Sequence, residues 1–289
     1  MGVIAALTAA LCWALATRIY RGMGAFWSPL SLTFIKNFIA IGLFGLAIFL
    51  SSGDFVSGSS EAVWWLILSG AIGIGIGDVS LFKALNTLGE ARTLMVAETL
   101  APILVVVIAW LALSEQLSWL QLFGVVVIIF AVDMVISFRS GRRNNSLNYK
   151  GLLWAMLAAC CQATGAVISR AVFTSSDISA EASALWRLLG GLSLALILLI
   201  INRHSLKPKS ALTKYQWGSL LAAIVIGTFI AIWALQLSFK LLPAGIAQTL
   251  IVTCALMAAL IAAFKGERLS PKQWFGLVLG VPGVAMLVL

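Results

Sequence analysis

Charge is scarce in this chain. Asp, Glu, Lys and Arg make up 10% of its 289 residues and 62% of the chain is hydrophobic, whereas a soluble domain carries about 25% charge. That shortage excludes a water-soluble fold, which has nowhere to hide so much hydrocarbon. Lipid accepts it, because an apolar helix surface costs little there and a helix closes its own backbone hydrogen bonds. Histidine is scarcer still: His204 alone, in a basic loop, leaves a metal no constellation of ligands. The few cysteines, Cys12, Cys160, Cys161 and Cys254, all sit in apolar blocks and read as small packing residues, not disulfide partners. There is no Gly-rich loop of the Walker kind and no soluble domain to hold nucleotide, so no cofactor is expected and ATP is excluded as a direct driving force. The net charge of +9 does not point to nucleic acid. Its basic residues stand singly or in threes and fours between apolar blocks instead of lining one soluble face.

What the chain has in abundance is apolar runs of membrane-spanning length. They fall at 2–20, 30–50, 62–86, 92–113 and 119–138, then at 151–172, 181–201, 215–238, 243–264 and 273–289. At about 1.5 Å per residue each reaches across a hydrocarbon core of about 30 Å. The first has no positive region ahead of it and no convincing cleavage site, so it reads as a retained helix and not a signal peptide. Trp64, Trp65, Trp119, Tyr215, Trp217 and Trp274 begin spans and read as interface anchors.

The two halves echo each other. "MGVIAALTAALCWA" aligns with "KGLLWAMLAACCQA" when Gly2 is set on Gly151, and Lys36-Asn37 falls opposite Arg187-Leu188 with a two-residue slip. Trp65, Gly75, Ser114-Glu115-Gln116-Leu117-Ser118 and Leu122-Phe123-Gly124 match Trp217, Gly227, Gly266-Glu267-Arg268-Leu269-Ser270 and Trp274-Phe275-Gly276, all at an offset of 152 residues. This indicates a duplication: residues 1–138 form the first five-helix repeat, 139–149 a polar linker, and 150–289 the second repeat. Five spans is an odd number, so the second copy enters the membrane inverted. The fold class expected is an all-α membrane protein of ten transmembrane helices in two inverted repeats, the arrangement in which a substrate site lies near the midplane.

Basic residues concentrate in alternate loops, from Arg18 and Arg21 through Arg139, Arg142 and Arg143 to Lys265, Arg268 and Lys272. The other loops carry or border Arg170 and Lys240 beside Asp54, Glu61, Glu115, Asp177 and Glu181. The positive-inside rule therefore places both termini outside the cytoplasm.

The segments "ETLAPILVVVIAWLALSEQLSWLQLFGVVVIIFAV" and "LIVTCALMAALIAAFKGERLSPKQWFGLVLGVPGVA" each run a helix into a turn glutamate and then a glycine-bearing helix. With five helices per half, this pattern resembles the drug/metabolite transporter superfamily and its ten-helix EamA-type branch, over essentially the whole chain. The resemblance implies translocation of a small molecule, often efflux of amino acids or related metabolites, across a bacterial inner membrane. It carries over onto Glu115 and Glu267 as turn glutamates, Pro102 in the fourth helix, and Lys36 and Arg187 as the basic positions of the second and seventh. Cys254 stands where Pro102 stands in the first half. Relatives are pictured with cytoplasmic termini, opposite to the charge count.

Ionisable groups at membrane depth are costly and mark pathways, coupling or pairing. Lys36 and Arg187, each in the first third of its span, approach from opposite sides and would attract a substrate carboxylate or phosphate; snorkelling or a tie between helices is the bland alternative. Asp78 and Glu98 have no charged counterpart in the other half, where Ile230 and Leu250 stand. Low dielectric disfavours an ionised carboxylate and a nearby basic group favours it, so either group, poised between the two, would couple transport to protons; a fixed salt bridge, for example to Lys36, Lys83 or Arg92, is the competing reading. Asp133, near the end of its span, reads as interfacial. Trp13, Gln162, Trp186, Gln236 and Gln248 lie inside spans, where amides and indoles suit a zwitterion or a ring. Gly73, Gly75 and Gly77, with Pro102, read as hinge candidates, static close packing being the alternative. Glu115 and Glu267 are expected to accept backbone N–H groups at the start of the following helix, with Ser118 and Ser270 as N-caps.

These features favour a secondary transporter of a small polar organic metabolite, with efflux of an amino acid or related compound first and uptake or exchange of an organic anion second. An intramembrane lipid-modifying enzyme is the rival from another class, but no span carries a histidine or paired carboxylates at helical spacing, so no catalytic residue is assigned. The partners expected are the substrate, membrane lipid and protons, and one polypeptide holds both inverted halves, so a monomer suffices.

Overall fold

In the computed structural model, which describes residues 1–50, 59–137, 148–203 and 205–289, ten helices are long and apolar enough to cross a membrane. They are α1 (Gly2–Met23), α2 (Pro29–Leu50), α3 (Ser60–Leu88), α4 (Glu90–Leu113) and α5 (Trp119–Ser137), then α6 (Tyr149–Ser175), α7 (Ala180–Ile201), α8 (Lys214–Leu241), α9 (Ala244–Phe264) and α10 (Pro271–Val288). The described residues contain no strand. Most of the expected 139–149 linker lies outside them. Its last residues open α6, where the Asn148 side chain accepts hydrogen bonds from the backbone N–H groups of Lys150 and Gly151. With ten crossings the termini share one face, here called the terminal face, and the midpoint linker lies at the other.

The repeat is visible in local chemistry. Ser114 and Gly266, at the ends of α4 and α9, both have positive φ, 55° and 89°. Ser118 and Gln121 cap the start of α5 by exchanging side-chain and backbone hydrogen bonds. Ser270 and Gln273 do the same for α10, so each last helix starts from a closed capping box. At nearly the same place in each repeat a long helix carries a π turn, Ala71–Ile76 in α3 and Val225–Ile230 in α8. Such a turn frees backbone groups inside the helix and is frequent at functional sites. In α8 one of them is met by Trp13, whose indole N–H donates to the Gly227 carbonyl at 2.9 Å.

The last helices of the repeats, α5 and α10, pack along each other, while α6 and α7 contact both π-turned helices and α1 packs on α8 alone of the two. Two crossings join α3 to α7 and α8 to α2. In the first the backbones touch: a Cβ on Gly70 would fall 1.8 Å from the Arg187 carbonyl oxygen, and one on Gly190 1.9 Å from that of Ile67. Only glycine permits that approach. With Lys36 opposite Arg187, the corresponding residues of the other crossing are Ala222 and Ile39, and there the contact is made by rings. Phe44 and Phe229 lie 4.6 Å apart, and Trp27 meets Trp217 edge-on at 5.6 Å.

The fourth helices differ as well. Pro102 sits inside an unbroken α4, whereas α9 breaks at Thr253, where no proline stands. The Thr253 hydroxyl donates to the Leu250 carbonyl at 2.6 Å, and that local bond replaces a helical one.

Candidate functional site

Arg187 is the residue around which the interior is arranged. Its side chain comes off α7 one residue beyond the half-buried Trp186, and the residue is 5% exposed. Close approach of α3 and α6 leaves room for a guanidinium. A Cβ on either Gly73, in the first π turn, or Gly165 would come 3.3 Å from Nη2, so both glycines clear space for it. Nη1 donates to Gln236 Oε1 of α8 at 2.6 Å, and Gln236 Nε2 in turn donates to the Ser183 hydroxyl one turn back on α7. Nε has no hydrogen-bond partner, and no carboxylate pairs with this cation among the described residues. A buried cation without a counter-ion is costly and invites an anion.

Other polar groups in the interior also lack partners. Asn37 is fully buried with both amide atoms unsatisfied; its Nδ2 would lie 3.4 Å from a Cβ on Gly191, one turn along α7 from Arg187. Trp186 Nε1 and Gln248 Nε2 are buried and unpartnered. Trp13 and Trp186 pack against the large apolar cluster to which Ala247, next to Gln248, also belongs. Gln162 lies half-buried on α6.

Lys36, the repeat mate of Arg187, is differently placed: its Nζ lies 2.9 Å from Asp78 Oδ2, just past the first π turn. The two basic positions are therefore not equivalent, one neutralised within its own repeat and the other not. Asp78 is also within electrostatic reach of Tyr20, whose hydroxyl meets Thr228 of the second π turn at 2.6 Å and donates to the Ala223 carbonyl at 2.9 Å. Glu98 is half-buried on α4, near Cys254 at the break in α9. Gly73 and Gly75 lie in the π turn itself and Gly77 directly follows it. Ser183, Asn37, Tyr20 and Thr228 were not singled out from sequence, although each is a polar residue inside a span and so carried the general signal of cost at membrane depth.

A groove of about 520 Å³ between α4 and α5 lies apart from this site. Ile103, Val106, Val107, Val125 and Phe130 line it, with Thr99 and Asp133 its only polar side chains. Its surface suits acyl chains better than a polar metabolite.

Glu115 behaves differently from expectation. Its carboxylate does accept a backbone N–H at a helix start, but that of Ala244 in α9, at 2.8 Å, and not of α5. The capping box already closes α5, while α9 begins at Pro243 with no side-chain cap. Glu267 lies 3.6 Å from Arg18.

Fold and site together define a class: a polytopic helical bundle with a π-turned helix in each inverted half and a buried, unneutralised cation between them. The EamA-like transporter family matches residues 1–137 and 149–289, and the chain belongs to that family; it is a membrane transporter of the drug/metabolite type. No curated protein matches the chain. Among solved structures, the crystal structure of one protein superposes with a TM-score of 0.83 and covers 100% of this chain and 98% of its own, at 19% identity, a likeness of fold alone.

Proposed function

We propose that this transporter moves a small organic metabolite bearing a carboxylate, an amino acid or a close relative, by alternating access without ATP, with efflux as its working direction. Arg187 carries the reading: a guanidinium buried between α3, α6, α7 and α8, held by Gln236 and lacking an anion, is completed by a substrate carboxylate. The unsatisfied amides of Asn37 and Gln248 and the indole of Trp186 supply donors and acceptors for the rest of a zwitterion. Asp78 and Glu98 are the proton-coupling candidates, and the basic loops favour termini outside the cytoplasm of a bacterial inner membrane.

The test is counterflow in proteoliposomes. Internal unlabelled amino acid or small carboxylate should accelerate uptake of the labelled compound, which a channel would not show. Arg187→Gln should lower the flux at least about tenfold, one buried charge-assisted contact. Counterflow of carboxylates undiminished in that variant would refute the reading. Preference for organic anions without an amino group, or faster exchange than efflux, would favour the uptake or exchange alternative.

A further inference from the structure

A π turn inserts one residue into a helix, and where the ladder returns to α spacing it steps over one carbonyl. Both turns show which one. In α8 the N–H of Ala231 donates to the Ile226 and Thr228 carbonyls, passing Gly227. In α3 the N–H of Gly77 donates to the Ile72 and Ile74 carbonyls, passing Gly73. Each skipped residue is the third of its turn, so Gly73 holds the place of Gly227 in the fold, although the sequence repeat sets Gly75 opposite Gly227. Packing agrees. Gly227 faces Ala16 of α1 and Gly73 faces Gly165 of α6, and the register that sets Gly2 on Gly151 makes Ala16 and Gly165 repeat mates.

The two carbonyls meet different fates. That of Gly227 accepts the Trp13 indole N–H at 2.9 Å. Gln162, the repeat mate of Trp13, makes no hydrogen bond to a described residue, and among those residues no donor meets the Gly73 carbonyl. Helical spacing puts Gln162 on the face of α6 that sets Gly165 against Gly73 and Ser169 against Ser69. An amide thus stands in place of an indole, and a glycine in place of an alanine, beside the one skipped carbonyl that lacks a donor. At membrane depth such a carbonyl is tolerated where it lines a cavity.

Arg187 borders the same space, since a Cβ on Gly73 would come 3.3 Å from its Nη2. A carbonyl accepts and cannot donate, whereas a guanidinium donates and cannot accept. Side by side they fit a ligand whose ammonium and carboxylate share one carbon. An ammonium alone would be repelled by Arg187, and a carboxylate alone would leave the carbonyl bare. Trp186 Nε1 and Gln248 Nε2, also unpartnered, are donors and cannot hold an ammonium.

We propose that the Gly73 carbonyl and the Gln162 side-chain oxygen hold the ammonium of the substrate while Arg187 holds its carboxylate, so that the transporter selects α-amino acids over carboxylates without an amino group. The proposal rests on the carboxylate reading of Arg187 and adds the second contact that fixes which carboxylates are carried. Trp13 closes the equivalent carbonyl of the other half, which leaves the duplicated frame one such site and not two.

Isothermal titration of the purified transporter tests this. The ligands are L-amino acids and the acids lacking only their amino group, such as alanine against propanoate and leucine against 4-methylpentanoate, in sodium or choline chloride. At least one amino acid should bind about tenfold or more tighter than its partner acid, equally in both salts, as a buried charge-assisted hydrogen bond requires. Gln162→Trp, which supplies the indole that closes the other turn, should bring the amino acid down to the affinity of its partner acid. Gln162→Leu, the milder variant, should narrow the gap several-fold. Equal affinities in the wild type would mean that water serves the carbonyl, and would overturn the proposal. So would a gap unchanged in Gln162→Leu, or sodium-dependent binding of both ligands, which would put a metal ion there. An unchanged gap in Arg187→Gln would remove the carboxylate reading and leave the ammonium site, and no binding by either series would remove both.

Discussion

The two helix crossings are built from the same ancestral unit and hold by different means. Where α3 meets α7, Gly70 and Gly190 bring backbone against backbone; where α8 meets α2, Ala222 and Ile39 stand in their places and the rings of Phe44 and Phe229 make the contact, with Trp27 just ahead of α2 against Trp217. A backbone contact has one geometry. Ring contacts tolerate sliding, because offset-stacked and edge-on arrangements differ little in energy. The rigid crossing lies beside Arg187. Duplication thus supplied a symmetric frame, and divergence at a few positions gave one half the buried unpaired arginine and the fixed contact.

The largest effect should come from filling the glycine crossing. Gly70→Leu should abolish folded protein, while Ala222→Leu, at its exposed counterpart, should shift stability by less than about 1 kcal/mol; thermal melting in detergent checks both, and equal losses would erase the distinction. Next come the two arginine–glutamate pairs as stability elements. Glu115→Gln leaves Arg170 buried without its carboxylate and should cost about 3 kcal/mol, whereas Glu267→Gln, breaking an exposed pair, should cost no more than about 0.5 kcal/mol. Comparable losses in the two melting curves would contradict the asymmetry. A smaller effect sharpens the contrast between basic positions: Arg187→Gln should remove carboxylate binding, while Lys36→Gln, which frees Asp78 from its partner, should weaken transport several-fold with binding retained, read by comparing ligand affinity with flux. Smallest is the coupling effect. An imposed pH gradient should stimulate flux a few-fold, and Asp78→Asn with Glu98→Gln should remove that stimulation; flux indifferent to the gradient and to both substitutions would eliminate proton coupling.

Most of the fold was legible in the sequence because membrane spans depend on local composition. All ten helices fall within a few residues of their apolar runs, and the duplicated turns keep both residue type and backbone conformation at Ser114 and Gly266. The site was legible only in part. Intramembrane cost flags Lys36, Asp78 and Arg187 alike, yet which two of them pair depends on how α2, α3 and α7 pack, which no local pattern carries. The same holds for Glu115, whose partners Arg170 and Ala244 lie far along the chain. The π turn of α3 announces itself in Gly73, Gly75 and Gly77, but that of α8, with Gly227 alone, does not. The break in α9 falls at a threonine whose hydroxyl bonds back to its own helix, while the sister helix α4 runs unbroken through Pro102.

The central claim is that a substrate carboxylate neutralises Arg187. Thermal stabilisation of the purified transporter by a panel of amino acids, small carboxylates and their decarboxylated amines tests it directly, since a ligand at about a hundred times its Kd adds about 2.7 kcal/mol to the folded state. The account predicts that one or more carboxylates raise the Tm of the wild type, that the matching amines do not, and that Arg187→Gln responds to neither. Stabilisation by a carboxylate that persists in Arg187→Gln would contradict it.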